Sequence, residues 1–165
     1  MQSAERGRTG LPSLGPRGEG WLRIQSLLIV AVPLCGAVGG QWPRSVRTPL
    51  FVVGVVGLAL GAAMLVASVL SLGRSFRTLP EPLPGAQLKQ GYLYGLVRHP
   101  IYGAIMLLAP SGAAVSSPLA LIPALALIAV LIGKSLVEER WLTVAHPEYS
   151  DYRRRVKSRF LPGLF

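Results

Sequence analysis

Pro110-Ser111-Gly112-Ala113-Ala114-Val115-Ser116-Ser117-Pro118 interrupts the longest uncharged window of the sequence, which runs from His99 to Gly133 with the histidine taken as neutral. As one straight helix that window would be on the order of 50 Å long at about 1.5 Å per residue, well beyond the roughly 30 Å of a bilayer core. Two prolines and three serines in its middle supply the break, because proline lacks the N–H a helix interior needs and serine competes for backbone hydrogen bonds. The window therefore reads as a helical hairpin whose second arm runs from about residue 119 to 142.

Two further uncharged windows, Ile24 to Pro43 and Thr48 to Gly73, each supply one span. With 165 residues, 51% of them hydrophobic and only 15% charged, the chain has a composition unusual for a soluble protein. The fold class expected is all-α: an integral membrane helical bundle of about four transmembrane helices, the C-terminal hairpin included, with a C-terminal amphipathic helix on the cytoplasmic side. Lysine and arginine concentrate in cytoplasmic loops. Segments 1–23 and 73–98 hold four each and 134–165 holds seven, against Arg44 and Arg47 alone on the opposite side. Both termini are thus expected in the cytoplasm, in a multi-pass protein of the cell membrane. A basic inner face beside anionic lipid accounts for the net charge of +10 without nucleic acid. The single cysteine, Cys35, excludes an internal disulfide framework.

Residues 1–20 hold glycines, prolines and scattered charges with no apolar period and read as a disordered or surface leader; residues 21–165 read as one membrane domain. Trp21 and Trp42 bracket the first span as interfacial anchors. In the second, Gly57 and Gly61 lie four apart, a spacing that lets helix backbones approach closely, and packing within the bundle is favoured over a dimer seam. Gly73 to Val97 is a long polar connection broken by Pro80, Pro82 and Pro84. Pro100 suits the first turn of a helix, so the third span begins there and sets Arg98 and His99 at its mouth.

The hairpin returns the chain to that face at Lys134-Ser135-Leu136-Val137-Glu138-Glu139-Arg140-Trp141. Lys134 and Glu138, four apart, share a helix face, and ionisable groups this deep in a membrane segment are site candidates, although a solvated girdle is the competing explanation. Beyond Pro147, Tyr149, Tyr152 and Val156 fall on one face while Arg153, Arg154, Arg155, Lys157 and Arg159 crowd the rest, the pattern of a helix lying on the inner leaflet. No paired-cysteine metal site, phosphate-binding glycine loop or serine-histidine-acid triad is present.

The series Tyr94-x-x-Val97-Arg98-His99-Pro100-x-Tyr102, a hydrophobic hairpin, Glu138-Glu139-x-x-Leu142, Tyr149-x-x-Tyr152 and Arg159-Phe160-Leu161-Pro162-Gly163 resembles the isoprenylcysteine carboxyl methyltransferase family, which is similar to the integral-membrane phospholipid methyltransferases. The resemblance covers about residues 73–163. It implies S-adenosylmethionine as cofactor and transfer of its methyl group to a lipophilic acceptor: a prenylcysteine-like carboxylate, a thiol or a lipid headgroup. It further implies cofactor contacts at Gln87, Leu88, Lys89, Tyr94, His99, Pro100, Ile101, Tyr102, Glu138 and Glu139, catalytic roles for Arg98 and Lys134, and no metal. Lys134 stands where an arginine is often seen in the family, a point charge in place of a planar fork. Tyr92-Leu93 stands where the family has Gly-Pro or Gly-Val.

Methyl transfer from a sulfonium is an in-line displacement, so catalysis rests on positioning the acceptor and excluding water. Glu138 suits the cofactor's positive charge, and Arg98 or His99 its carboxylate. An NADPH-dependent membrane reductase of the sterol-reductase type, which shares an Arg-His-Pro-x-Tyr motif, is the alternative enzyme. A non-catalytic membrane subunit retaining the fold is the alternative outside enzymes.

Overall fold

Helices in this chain follow the apolar windows. The computed structural model describes residues 12–73, 79, 81 and 88–163. The described residues form five α-helices: α1 (Glu19–Val38), α2 (Arg44–Leu72), α3 (Pro100–Val115), α4 (Leu121–Ala145) and α5 (Tyr149–Arg155), with 3-10 turns at Tyr92–Gly95 and Pro118–Ala120. No strand occurs among the described residues. The helices α1 and α2 and the segment Pro118–Ala145 are long and apolar enough to cross a membrane. Their outward faces carry Leu27, Val30, Leu34, Phe51, Val52, Val56, Leu60, Ile122 and Leu125 exposed, as a lipid solvent allows. The chain is a helical membrane protein.

The hairpin is present but unequal. Its first arm, α3, has 16 residues, about 24 Å of helix, so among the described residues three helices rather than four meet the length of a span. The break falls within the expected stretch, and the serines cause it. Ser116 Oγ donates to Gly112 O at 2.6 Å, while Ser117 Oγ donates to Gly40 O at 2.7 Å and accepts from Leu119 N at 3.2 Å. With Pro118 at its first position, the 3-10 turn then leads straight into α4.

Glycine contacts give the helix directions. Gly36 and Gly39, at the end of α1, lie against Ser116, Ser117 and Ala120 of the hairpin turn, while Gln25, near its start, reaches Lys134 late in α4. Along α2, Gly54 meets Val115, Gly61 meets Leu108, and Met64 meets Gly103. Thus α1 runs antiparallel to α4 and α2 antiparallel to α3. One end of the bundle gathers the start of α1, the end of α2, the start of α3 and the end of α4. Both ends of the described chain lie there, opposite Arg44 and Arg47.

The small-residue row of α2 packs within the bundle, as its spacing suggested: Gly54, Gly57, Gly61 and Ser68 are buried, and a Cβ at Gly57 would collide with Ser111 Oγ. Trp42 donates its Nε1–H to Ala113 O at 3.0 Å, tying the α1–α2 connection to the end of α3. Trp21 is buried and donates to Pro12 O at 3.0 Å. Its indole therefore lies under the preceding residues rather than free at an interface. Residues 12–18 of the expected leader form turns against the start of α1, which begins at Glu19, ahead of the expected boundary; residues 1–11 lie outside the described residues.

Gly57→Leu should destabilise the protein by about 1–3 kcal/mol, the usual range for overpacking a close contact. Val56→Leu, on the exposed face beside it, should leave unfolding unchanged. Thermal unfolding in detergent distinguishes the two.

Candidate functional site

The site starts from Pro100. His99 caps α3, and Gly103 N donates to His99 O at 3.0 Å as the first helical bond. The two residues before Pro100 have extended or irregular backbone, and they pair with the C-terminal segment: Arg98 N donates to Ser158 O at 3.1 Å and His99 N to Arg159 O at 2.7 Å. After α5 the chain therefore crosses the mouth of α3 as a strap. Gly103 permits the crossing, because a Cβ there would collide with the Phe160 carbonyl oxygen.

Glu139 holds the strap down. Its Oε1 accepts from Arg98 Nε at 3.0 Å and Arg159 Nε at 3.1 Å and lies 3.3 Å from His99 Nε2; its Oε2 accepts from Arg159 Nη2 at 3.2 Å. Arg98 Nη1 also donates to the carbonyls of Val156 and Lys157, both at 2.7 Å. A buried carboxylate is tolerated only with such partners. These bonds engage Glu139 and Arg98 in holding the strap.

Glu138 points elsewhere. Tyr102 donates its hydroxyl to Glu138 Oε2 at 2.6 Å, and His99 Nδ1 lies 3.8 Å from the same oxygen. The carboxylate is the more open of the pair, its side chain 25% exposed against 5% for Glu139. The His99 and Tyr102 rings are parallel at 5.3 Å, and Lys134 Nζ sits 5.1 Å from the Tyr102 ring centroid. Lys134 is 1% exposed and donates to Gln25 Oε1 of α1 at 2.6 Å. A row Gln25, Lys134, Tyr102, Glu138, His99 thus lies at the strap end of the bundle.

The tyrosines of α5 form the third part. Tyr149, Tyr152 and Val156 are buried on the face expected from their spacing, but they pack on Leu88 and Leu142 of the protein. The α5 helix is also short, ending at Arg155. Tyr152 donates to Tyr94 O at 2.7 Å, whereas the Tyr149 hydroxyl is buried without a hydrogen-bond partner among the described residues. Burial pushes the phenols of Tyr94 and Tyr149 up and that of Tyr152 to about 12. All three are neutral at physiological pH.

Of the other residues singled out from sequence, Pro100 is buried at the first position of α3, Ile101 is half-buried, Leu88 joins the tyrosine cluster, and Lys89 is exposed. Gln87 lies outside the described residues. Tyr92, standing where the resemblance has glycine, has φ 52, in the left-handed region that favours glycine. Its backbone therefore follows a path usual for glycine. Gln25 and Arg159 were given no site role in the sequence reading. A glutamine inside an uncharged window was the signal for the first; the second appeared only as one of five basic residues of the tail and in the closing Arg159-Phe160-Leu161-Pro162-Gly163.

No group of histidine, cysteine, aspartate and glutamate among the described residues is arranged to hold a metal. Neither the protein-family models nor the curated proteins compared with this chain give a match.

Glu139→Ala removes the anion from beside two buried or half-buried arginines and should cost about 3 kcal/mol or more, as breaking a buried pair does. Proteolysis should then cut the strap first. Glu138→Ala should leave both unfolding and strap protection near wild type.

Proposed function

We propose that the chain is an S-adenosylmethionine-dependent methyltransferase of the isoprenylcysteine carboxyl methyltransferase family, a multi-pass protein of the cell membrane with both termini in the cytoplasm. The acceptor is lipophilic: a prenylcysteine-like carboxylate, a thiol or a lipid headgroup. The observation that carries this reading is the half-open Glu138 carboxylate, braced by Tyr102 beside His99 at the end of an apolar bundle.

The donor set suits the cofactor. Bound, S-adenosylmethionine supplies an electrophilic methyl group on a sulfonium. Glu138 offsets positive charge on a ligand, His99 and Tyr102 offer planar rings and polar atoms, and the unpartnered Tyr149 hydroxyl offers a buried donor. Lys134 provides charge for an anionic group on the acceptor. The exposed apolar faces of α1, α2 and α4 let a lipophilic acceptor come from the bilayer while a water-soluble ligand comes from the strap end. That end bears the excess of basic residues, which is the support for placing it in the cytoplasm.

Purified in detergent, the protein should bind S-adenosylmethionine by calorimetry and transfer its labelled methyl group to a component of a fractionated lipid and metabolite extract. Glu138→Ala and His99→Ala should each lose cofactor binding. Lys134→Ala should bind it within about twofold of wild type and fail in transfer. Binding of NADPH with indifference to S-adenosylmethionine would mean a reductase, and binding of neither a non-catalytic subunit.

A further inference from the structure

Gln25 stands apart from everything the resemblance covers. It belongs to α1, outside residues 73–163, in a window with no charged residue between Ile24 and Pro43. A polar side chain on the inward face of a membrane helix is costly to bury and marks a functional contact by default. Gln25 is 8% exposed, and its amide oxygen accepts from Lys134 Nζ at 2.6 Å, 109 residues away in sequence.

We propose that Gln25 is the positioning residue for Lys134: it fixes the ammonium in the row with Tyr102 while adding no negative charge. The inference rests on the methyltransferase reading and assigns α1 to the reacting unit rather than to packing alone. The geometry is that of a two-sided cradle. The ammonium is held on one side by the Gln25 oxygen and on the other by the face of the Tyr102 ring, 5.1 Å from its centroid. Tyr102 is in turn fixed by its hydrogen bond to Glu138 and its stacking on His99. An ammonium has three rotatable donors on a flexible stem, and the Gln25 oxygen directs one of them toward α1. An amide is also the neutral choice. Glutamate at the same place would make an equally short bond and offset the charge that an acceptor's anionic group needs.

That difference separates positioning from mere satisfaction of a buried lysine. A structural partner would be served as well, or better, by a carboxylate; a positioning partner that must leave the charge in play would not. The test uses detergent-purified full-length protein, labelled S-adenosylmethionine and total membrane lipid extract as the acceptor source. Gln25→Met keeps length and removes the acceptor atom. It should lower transfer at least tenfold and raise the half-saturating extract concentration, with S-adenosylmethionine affinity within about threefold of wild type. Gln25→Glu should unfold at or above the wild-type temperature and still transfer at least tenfold more slowly. Wild-type transfer by Gln25→Glu would reduce Gln25 to a structural partner and overturn the proposal, as would wild-type transfer by Gln25→Met or a loss of cofactor binding in it equal to the loss of transfer. A wild-type protein that neither binds S-adenosylmethionine nor transfers its methyl group would overturn the methyltransferase reading and this inference together. An active wild type with an active Gln25→Glu overturns this inference alone.

Discussion

The Glu139 carboxylate, buried near the end of α4, accepts from Arg98 at the mouth of α3 and from Arg159 in the strap, with His99 alongside. Three segments that meet nowhere in sequence are joined at one pair of oxygens. Desolvating a carboxylate costs several kcal/mol unless hydrogen bonds replace its water, so the arrangement is stable only when all donors are in place together. Arginine rather than lysine makes this possible at position 98. Its fork reaches Glu139 with Nε while Nη1 takes two backbone carbonyls of the strap. The strap in turn gives α3 backbone partners at Arg98 and His99, and so fixes where the helix begins.

Consecutive carboxylates on one helix can then do different work. Successive residues are rotated by about 100° around a helix axis, so Glu138 and Glu139 leave α4 in different directions and share His99, one ring nitrogen lying near each. Glu139 turns toward the strap, and Glu138 turns toward Tyr102 and His99. Lys134, one turn earlier on the face of Glu138, falls into the same row. The buried ionic knot supports the half-open carboxylate without sharing its oxygens with it.

Much of this was legible in the residues, and the reasons differ element by element. The hairpin could be read because proline and serine act locally: they break a helix wherever they sit. The tyrosine face of α5 could be read because helical periodicity survives in seven residues, although the sequence did not say that protein rather than lipid covers it. The brevity of α3 was hidden, since Ala113, Ala114 and Val115 look the same inside a helix or at its end. The strap was hidden for a different reason. Its backbone pairs over two residues and its other bonds come from side chains distant in sequence, Arg98 and Glu139, so it leaves no period. Lys134 stood out in the sequence and Gln25 did not; only the antiparallel packing of α1 on α4 brings them together.

The two ends of the bundle use their polar groups in opposite ways, and the contrast bears on where chemistry can occur. At the hairpin end, Trp42, Ser116 and Ser117 all bond to backbone carbonyls. Such bonds close turns. At the strap end, beside bonds to carbonyls from Arg98 and Tyr152, buried side chains also bond to one another: Arg98 and Arg159 to Glu139, Tyr102 to Glu138, Lys134 to Gln25. Side-chain pairs are the minority of hydrogen bonds in folded proteins, and they cost more conformational entropy to order than a backbone bond already fixed by a helix. Stability alone would be served by apolar residues of similar volume at many of these places. Among the described residues the buried, ordered ionic side chains gather at the strap end, whereas the Arg47 to Gln41 pair at the other end is exposed to solvent.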